Sequence, residues 1–315
     1  NDIDPGSIEA AQTICYGTAP APLTSTVDAV GDGFITYSWE RSTDGTNYTA
    51  IPGATQNTYV PPILTQTTWY RRMATSSLNG NNCPEITAPV MITVNPLPVA
   101  ELTGDNTICP GDNSPLTVTI TTGTAPYEVS FNQGVGTVTS PASPGVTNVT
   151  PASTTTYQLV SVEDANGCIS DILSGNLSGS VTITLRDTVE IQTQPHDAAV
   201  CENTDTSFTV MATGEGLLYQ WEYTDNLAAG FNPVNGTLAG HSNFDRATMN
   251  ISAADPAFDG YYYRVRVFSS FCSEVDYSDT VQLTIQYNPV TARDPFDQRV
   301  CEGASTGFGV DAGIT

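Results

Sequence analysis

The sequence predicts an all-β protein built from tandem two-sheet sandwiches, and three observations carry that expectation. Thr, Val and Tyr, which favour strands, recur along the 315 residues, and 26 Gly and 21 Pro punctuate them as turns. No stretch of eleven or more residues keeps a 3.6-residue apolar period, so helices are expected to be rare. The third observation is that the chain repeats itself.

The same landmarks recur in the same order. A cysteine opens each copy: Ile14-Cys15-Tyr16-Gly17, Ile108-Cys109-Pro110-Gly111, Val200-Cys201-Glu202, and finally Val300-Cys301-Glu302-Gly303. These cysteines stand 94, 92 and 100 residues apart. An aromatic strand follows, at Tyr37-Ser38-Trp39-Glu40, at Tyr127 to Phe131, and at Tyr219-Gln220-Trp221-Glu222. A later strand opens on Tyr70, Tyr157 or Tyr263; a second cysteine comes at Cys83, Cys168 or Cys272. An alternating strand then closes the copy, at Val90 to Val94, Val181 to Leu185 and Val281 to Ile285. A period of this length, with about seven strands, is the size of one immunoglobulin-like sandwich. Solenoid repeats are shorter and need their neighbours to bury a core, whereas each unit here can close its own around Trp39 or Trp221. The expected division is residues 1–95, 96–186 and 187–287 as three complete repeats, with 288–315 as the start of a fourth.

Within the first repeat, strands are expected from Leu23 to Val30, from Phe34 to Arg41 and from Trp69 to Thr75. Asp44-Gly45 and Asn79-Gly80 supply hairpin turns between strands. In the third repeat Asp259-Gly260-Tyr261-Tyr262 is similar to a tyrosine corner, but Arg264 stands where the usual mid-sheet cysteine would be. Asn95-Pro96-Leu97-Pro98 and Asn288-Pro289 mark short, stiff joints. The last 28 residues stop soon after the first cysteine of their unit, so the sequence is expected to be a piece of a longer array.

Seven cysteines, two in each complete unit and one in the last segment, match one disulfide per repeat, the mark of an extracellular protein. The first assignment is Cys15–Cys83, Cys109–Cys168 and Cys201–Cys272. The competing arrangement bonds one repeat to the next, for instance Cys15 to Cys168. It is prompted by strand order, because the A–B and F–G turns of a regular sandwich lie at opposite ends.

Charge narrows the partners. Asp and Glu total 33 against 9 Arg and no Lys, a net charge of −24. Such a surface repels nucleic acid and anionic lipid. No run of eighteen apolar residues occurs, so no membrane insertion is expected. Catalysis finds no footing either. The two histidines, His196 in a joint and His241 in an expected exposed loop, lie in no nucleophile or metal motif. Calcium is the one cofactor with a case, because carboxylates at domain joints can bind it. The candidates are Asp2 with Asp4, Asp105 with Asp112, Glu163 with Asp164, and Asp294 with Asp297; none forms the spaced acidic calcium loop. Asp164-Ala165-Asn166-Gly167 reads better as a β-turn. Trp69 and Tyr261 are candidate contact aromatics, since neighbours along a strand point to opposite faces. An outward ring there can stack on glycan, pack across strands, or meet another protomer.

The landmarks resemble the tandem repeats of giant surface adhesins of Bacteroidota secreted by the type IX system, gliding-motility adhesins among them. The phrase from Thr156-Tyr157-Gln158 through Val162-Glu163-Asp164-Ala165-Asn166-Gly167-Cys168 is similar to a signature of that group. So is the run Tyr37 to Trp39, Asp44-Gly45, Ile51-Pro52-Gly53-Ala54. The resemblance implies a cell-surface rod or homo-oligomeric fibre, with a cell-surface or glycan ligand held at a distant tip. It supplies no catalytic residues, and such arrays also build contact-dependent filaments of predatory marine species and spacers in secreted enzymes; a glycan-binding module is the alternative that the aromatics leave open. Two matches to that group's O-glycosylation pattern, Asp187-Thr188-Val189 and Asp279-Thr280-Val281, are no more than a Thr-rich chain provides by chance.

Overall fold

Alternation of buried and exposed residues along single strands sets the architecture. In Thr68–Leu78, Thr68, Tyr70, Arg72, Ala74 and Ser76 face inward, while Trp69, Arg71 and Met73 lie half-buried on the other side. Our computed structural model describes residues 2–287 and the backbone of two short paired strands, Val290–Thr291 and Ala312–Gly313. Most of the expected fourth repeat, with Asp294, Asp297 and Cys301, lies outside the described residues. The chain forms tandem immunoglobulin-like β-sandwiches, and among the described residues there is no α-helix. Contacts divide it into two compact units, residues 1–106 with 111–184, and residues 107–110 with 185–315.

In the first unit, one sheet runs in the order Gln12–Cys15, Val90–Asn95, Thr68–Leu78, Phe34–Ser42, Thr49–Ala50. Asn81–Ile86 pairs with Thr68–Leu78 through a tight hairpin. Asn79 and Gly80 both take positive φ there, 51° and 81°, as the Asn-Gly pair anticipates. The opposite face is irregular. The single strand expected from Leu23 to Val30 is instead Ser25–Val27 and Val30–Gly31, each paired with a two-residue strand near the N-terminus. Trp39 and Tyr70 are fully buried with Leu23 and Ile92. The Trp39 indole donates a hydrogen bond to the Gln56 carbonyl at 2.9 Å, so its polar edge is satisfied.

One end of this core is polar. Arg72 is fully buried and donates to the Pro5 carbonyl at 2.8 Å, the Asn57 carbonyl at 3.1 Å and the Ser25 hydroxyl. The Tyr37 ring lies 4.8 Å from its guanidinium. Burial holds its pKa below the usual arginine value. One side chain thus gathers three separate segments, and a purely apolar pattern could not have announced it.

The remaining strands of the first unit fall into three further sheets, and Leu102, Leu116, Val118, Val129 and Val162 are buried among them. Val129 and Phe131 of Tyr127–Phe131 supply the buried bulk in a repeat that has no tryptophan.

The second unit reproduces the first sheet order, with Ala198–Cys201, Val281–Gln286, Tyr262–Ser269, Leu217–Thr224 and Asn232–Pro233. Its core is larger, with Trp221, Phe208, Met249, Tyr263, Val265 and Leu283 at its centre. The Trp221 indole donates to the Arg246 carbonyl at 2.9 Å, the counterpart of Trp39 to Gln56.

Candidate functional site

The cysteines are positioned by strand direction. Gln12–Cys15 runs parallel to Val90–Asn95 and sets Cys15 beside Asn95, at the end where the chain leaves the first repeat. Cys83 is paired with Ser76 on the neighbouring hairpin, while Thr68 of that same strand faces Ile92. From Thr68 to Ser76 the strand extends roughly 27 Å at about 3.4 Å per residue. A disulfide tolerates a Cα separation of only about 7 Å. Cys15 and Cys83 therefore cannot bond within one repeat.

The structure corrects the first assignment. Cys15 is bonded to Cys168, with Cα atoms 5.4 Å apart, and Cys109 to Cys272, at 5.7 Å. Each bond joins the first cysteine of one repeat to the second cysteine of the next. Cys83 and Cys201, assigned above to Cys15 and Cys272, are thiols with no disulfide partner among the described residues.

The loop that presents Cys168 is built from the Asp-Ala-Asn-Gly phrase. Asp164 is buried, and its carboxylate accepts hydrogen bonds from the backbone N–H groups of Asn166 and Cys168 at 2.9 Å and of Thr124 at 3.0 Å. Gly167 takes φ +75°, which closes the turn. Two residues after Cys168, the Ser170 hydroxyl donates to the Pro98 carbonyl at 2.6 Å and anchors the loop to the start of its own repeat.

The calcium candidates are placed as follows. Asp164 is engaged by its own loop, and Glu163 stands half-buried beside it. Asp2 and Asp4 are exposed and accept from the N–H of Ile3 and of Gly6. Asp105 accepts from Thr182 N–H at 2.5 Å, while Asp112 is exposed. Among the described residues no three His, Cys, Asp or Glu side chains gather where a metal could be held.

The contact aromatics turn out to be occupied in packing. The Trp69 indole lies against the Asp44-Gly45 turn, where a Cβ on Gly45 would come within 3.3 Å of it. Tyr261 stacks on Tyr223 at 6.2 Å and meets Phe258 edge-on at 5.4 Å. A cleft of about 340 Å³ opens in the second repeat beside Val118, Phe131, Val138, Pro144 and Val146, and no ionisable side chain lines it.

Besides the buried Arg72, two features were not anticipated from the sequence. Glu40 pairs with Arg71 at 2.6 Å and Glu222 with Arg264 at 2.8 Å, on equivalent strands of the first and third repeats. The dipeptides Trp-Glu and Tyr-Arg were the available signal. His241 is also buried, not exposed in a loop as expected. Its ring lies 2.9 Å from the Tyr263 hydroxyl and 2.8 Å from the Ala239 carbonyl, so it completes a core polar pair. The counterpart hydroxyl of Tyr70 has no hydrogen-bond partner.

Burial holds His241 below its ordinary pKa of 6.5, the Ala239 hydrogen bond opposing that shift. The unfolded chain therefore takes up a proton as pH falls below 6.5, and the folded chain does so only at lower pH. Stability from this group is complete above 6.5 and is lost as pH falls toward the folded value. Denaturant melts of the third repeat between about pH 7.5 and 5.5 should show a falling midpoint. His241→Phe should flatten that slope, and an unchanged slope would refute the assignment.

A family model described as a domain of unknown function (DUF8696) matches residues 4–96. No curated protein matches the chain. Among solved structures it is similar to an I-band fragment of titin, at 10% identity over 89% of this chain and 96% of that one, with a TM-score of 0.46. It is also similar to the eight N-terminal immunoglobulin domains of Down Syndrome Cell Adhesion Molecule, at 12% identity, 89% and 36% coverage and TM-score 0.40. Immunoglobulin domains 1–5 of Sidekick-1 are a third, at 14% identity, 92% and 60% coverage and TM-score 0.29.

Proposed function

We propose that this chain is a structural and adhesive segment of a giant extracellular repeat protein, which forms a rod or fibre for cell-surface attachment or for contact between cells. The observation that carries this reading is the bonding of each repeat's first cysteine to the second cysteine of the next repeat. A bond inside a sandwich reinforces only that sandwich. A bond across a joint restrains the joint, which serves a filament and offers nothing to an enzyme or a lone binding module. The disulfides support an extracellular location. The acidic, Lys-free composition keeps a long secreted chain soluble. The resemblance to type IX-secreted Bacteroidota adhesins supports a place at the cell surface, with copies of the chain bundled and the ligand-binding tip elsewhere.

Electron microscopy of the native assembly tests this reading. Rods or fibres with a regular axial repeat are the expected result. Isolated chains that bend freely at every joint would end it, and a catalytic domain found in the same polypeptide would make the segment a spacer.

A further inference from the structure

The two thiols left over are not equivalent leftovers; each belongs to one of the two bonded classes. Cys201 sits in the same frame as bonded Cys15. It ends a strand parallel to Val281–Gln286 and stands beside Gln286, as Cys15 stands beside Asn95. The next residue closes each frame: Glu202 N–H donates to the Gln286 carbonyl at 3.0 Å, and Tyr16 N–H to the Asn95 carbonyl at 2.8 Å. Three residues after each cysteine a threonine returns to it, with Thr204 Oγ1 2.6 Å from the Cys201 carbonyl and Thr18 Oγ1 2.7 Å from that of Cys15. Cys201 is exposed in this prepared position. Cys83 belongs to the other class by its order in the repeat, second as bonded Cys168 and Cys272 are in theirs; it lies within Asn81–Ile86 opposite Ser76, whereas those two lie just before the corresponding strands Ile169–Asp171 and Val275–Tyr277.

We infer that Cys83 and Cys201 are the two open ends of one staggered disulfide series, and that the partner of each is a further repeat of this same build. Cys201 takes the second cysteine of a following repeat, and Cys83 the first cysteine of a preceding one. The two bonds in the structure span 153 and 163 residues, so the partner of Cys201 is expected at a similar distance along the chain. Each new bond removes two thiol protons and two electrons. A disulfide oxidant accepts them: an oxidoreductase active-site disulfide becomes its dithiol, or a small-molecule disulfide becomes two thiols. The inference rests on the bonding register and is separable from the fibre reading, since a fully bonded array could still fail to form fibres.

Peptide mapping without reduction tests it on the secreted protein as its cells release it, with free thiols blocked by iodoacetamide before digestion. The peptides carrying Cys83 and Cys201 are expected to emerge disulfide-linked, each to a cysteine of the complementary class. A partner peptide from outside these 315 residues identifies a neighbouring repeat, and a Cys83–Cys201 link between two chains identifies a second copy in the same register. Carbamidomethylated Cys83 or Cys201 overturns the inference. So does a bond between two cysteines of one class, or one closing Cys83 onto Cys201 within a single chain.

Discussion

Trp221→Ala should lower the stability of the third repeat by about 3–5 kcal/mol, the range for removing a buried aromatic side chain without refilling its cavity. The ring is fully buried, with Phe208 6.1 Å away and Val265 opposite it in register on the next strand. The loss has a polar part as well, because the Arg246 carbonyl gives up the indole N–H that satisfies it. Trp221→Phe separates the two parts. It keeps most of the apolar volume but still orphans the carbonyl, so about 1–3 kcal/mol should remain lost. Differential scanning calorimetry reads both variants. The transition assigned to the third repeat should move down, while the one that depends on Trp39 in the first unit stays in place. If both transitions moved together, the sandwiches would not be separate cooperative units.

The sandwich build was legible in the sequence, because the signals that define one sandwich are local. Period-two alternation in Thr68–Leu78, the Asn79-Gly80 turn and the buried Trp39 can each be read within a few residues. The Asp164 phrase was legible as a turn, and that turn is what presents Cys168. The pairing of the cysteines was not legible to the same degree. Spacing along the chain ranks Cys83 as the natural mate of Cys15, but spacing does not say which end of a sheet a residue occupies. That depends on the parallel pairing of Gln12–Cys15 with Val90–Asn95, a long-range contact. His241 and Arg72 were missed for a related reason. A polar residue in a core is defined by what surrounds it, here Tyr263 for the histidine and the Pro5 and Asn57 carbonyls for the arginine, all distant in sequence.

Replacing Cys15 and Cys168 together by serine should cost the second repeat about 4 kcal/mol, nearly as much as losing a core tryptophan. A bond between two repeats would ordinarily be expected to leave each one's own unfolding untouched. The register says otherwise. Cys15 is held beside Asn95, the last residue of the strand that leads into the second repeat. When the second repeat unfolds and the first does not, the bond to Cys168 closes a loop of roughly 70 residues, and the chain-entropy model gives such a loop about 4 kcal/mol. The reverse case is similar, because the Ser170–Pro98 hydrogen bond holds the start of the second repeat close to Cys168. One covalent bond thus restricts the unfolded state of either neighbour. The melting temperature of the double variant should fall by on the order of 15–30 °C for a domain of this size. Cys83→Ser in the same 315-residue chain should change it little, because Cys83 closes no loop among the described residues. A double variant that melts where the parent does would mean that the bond acts on the joint alone.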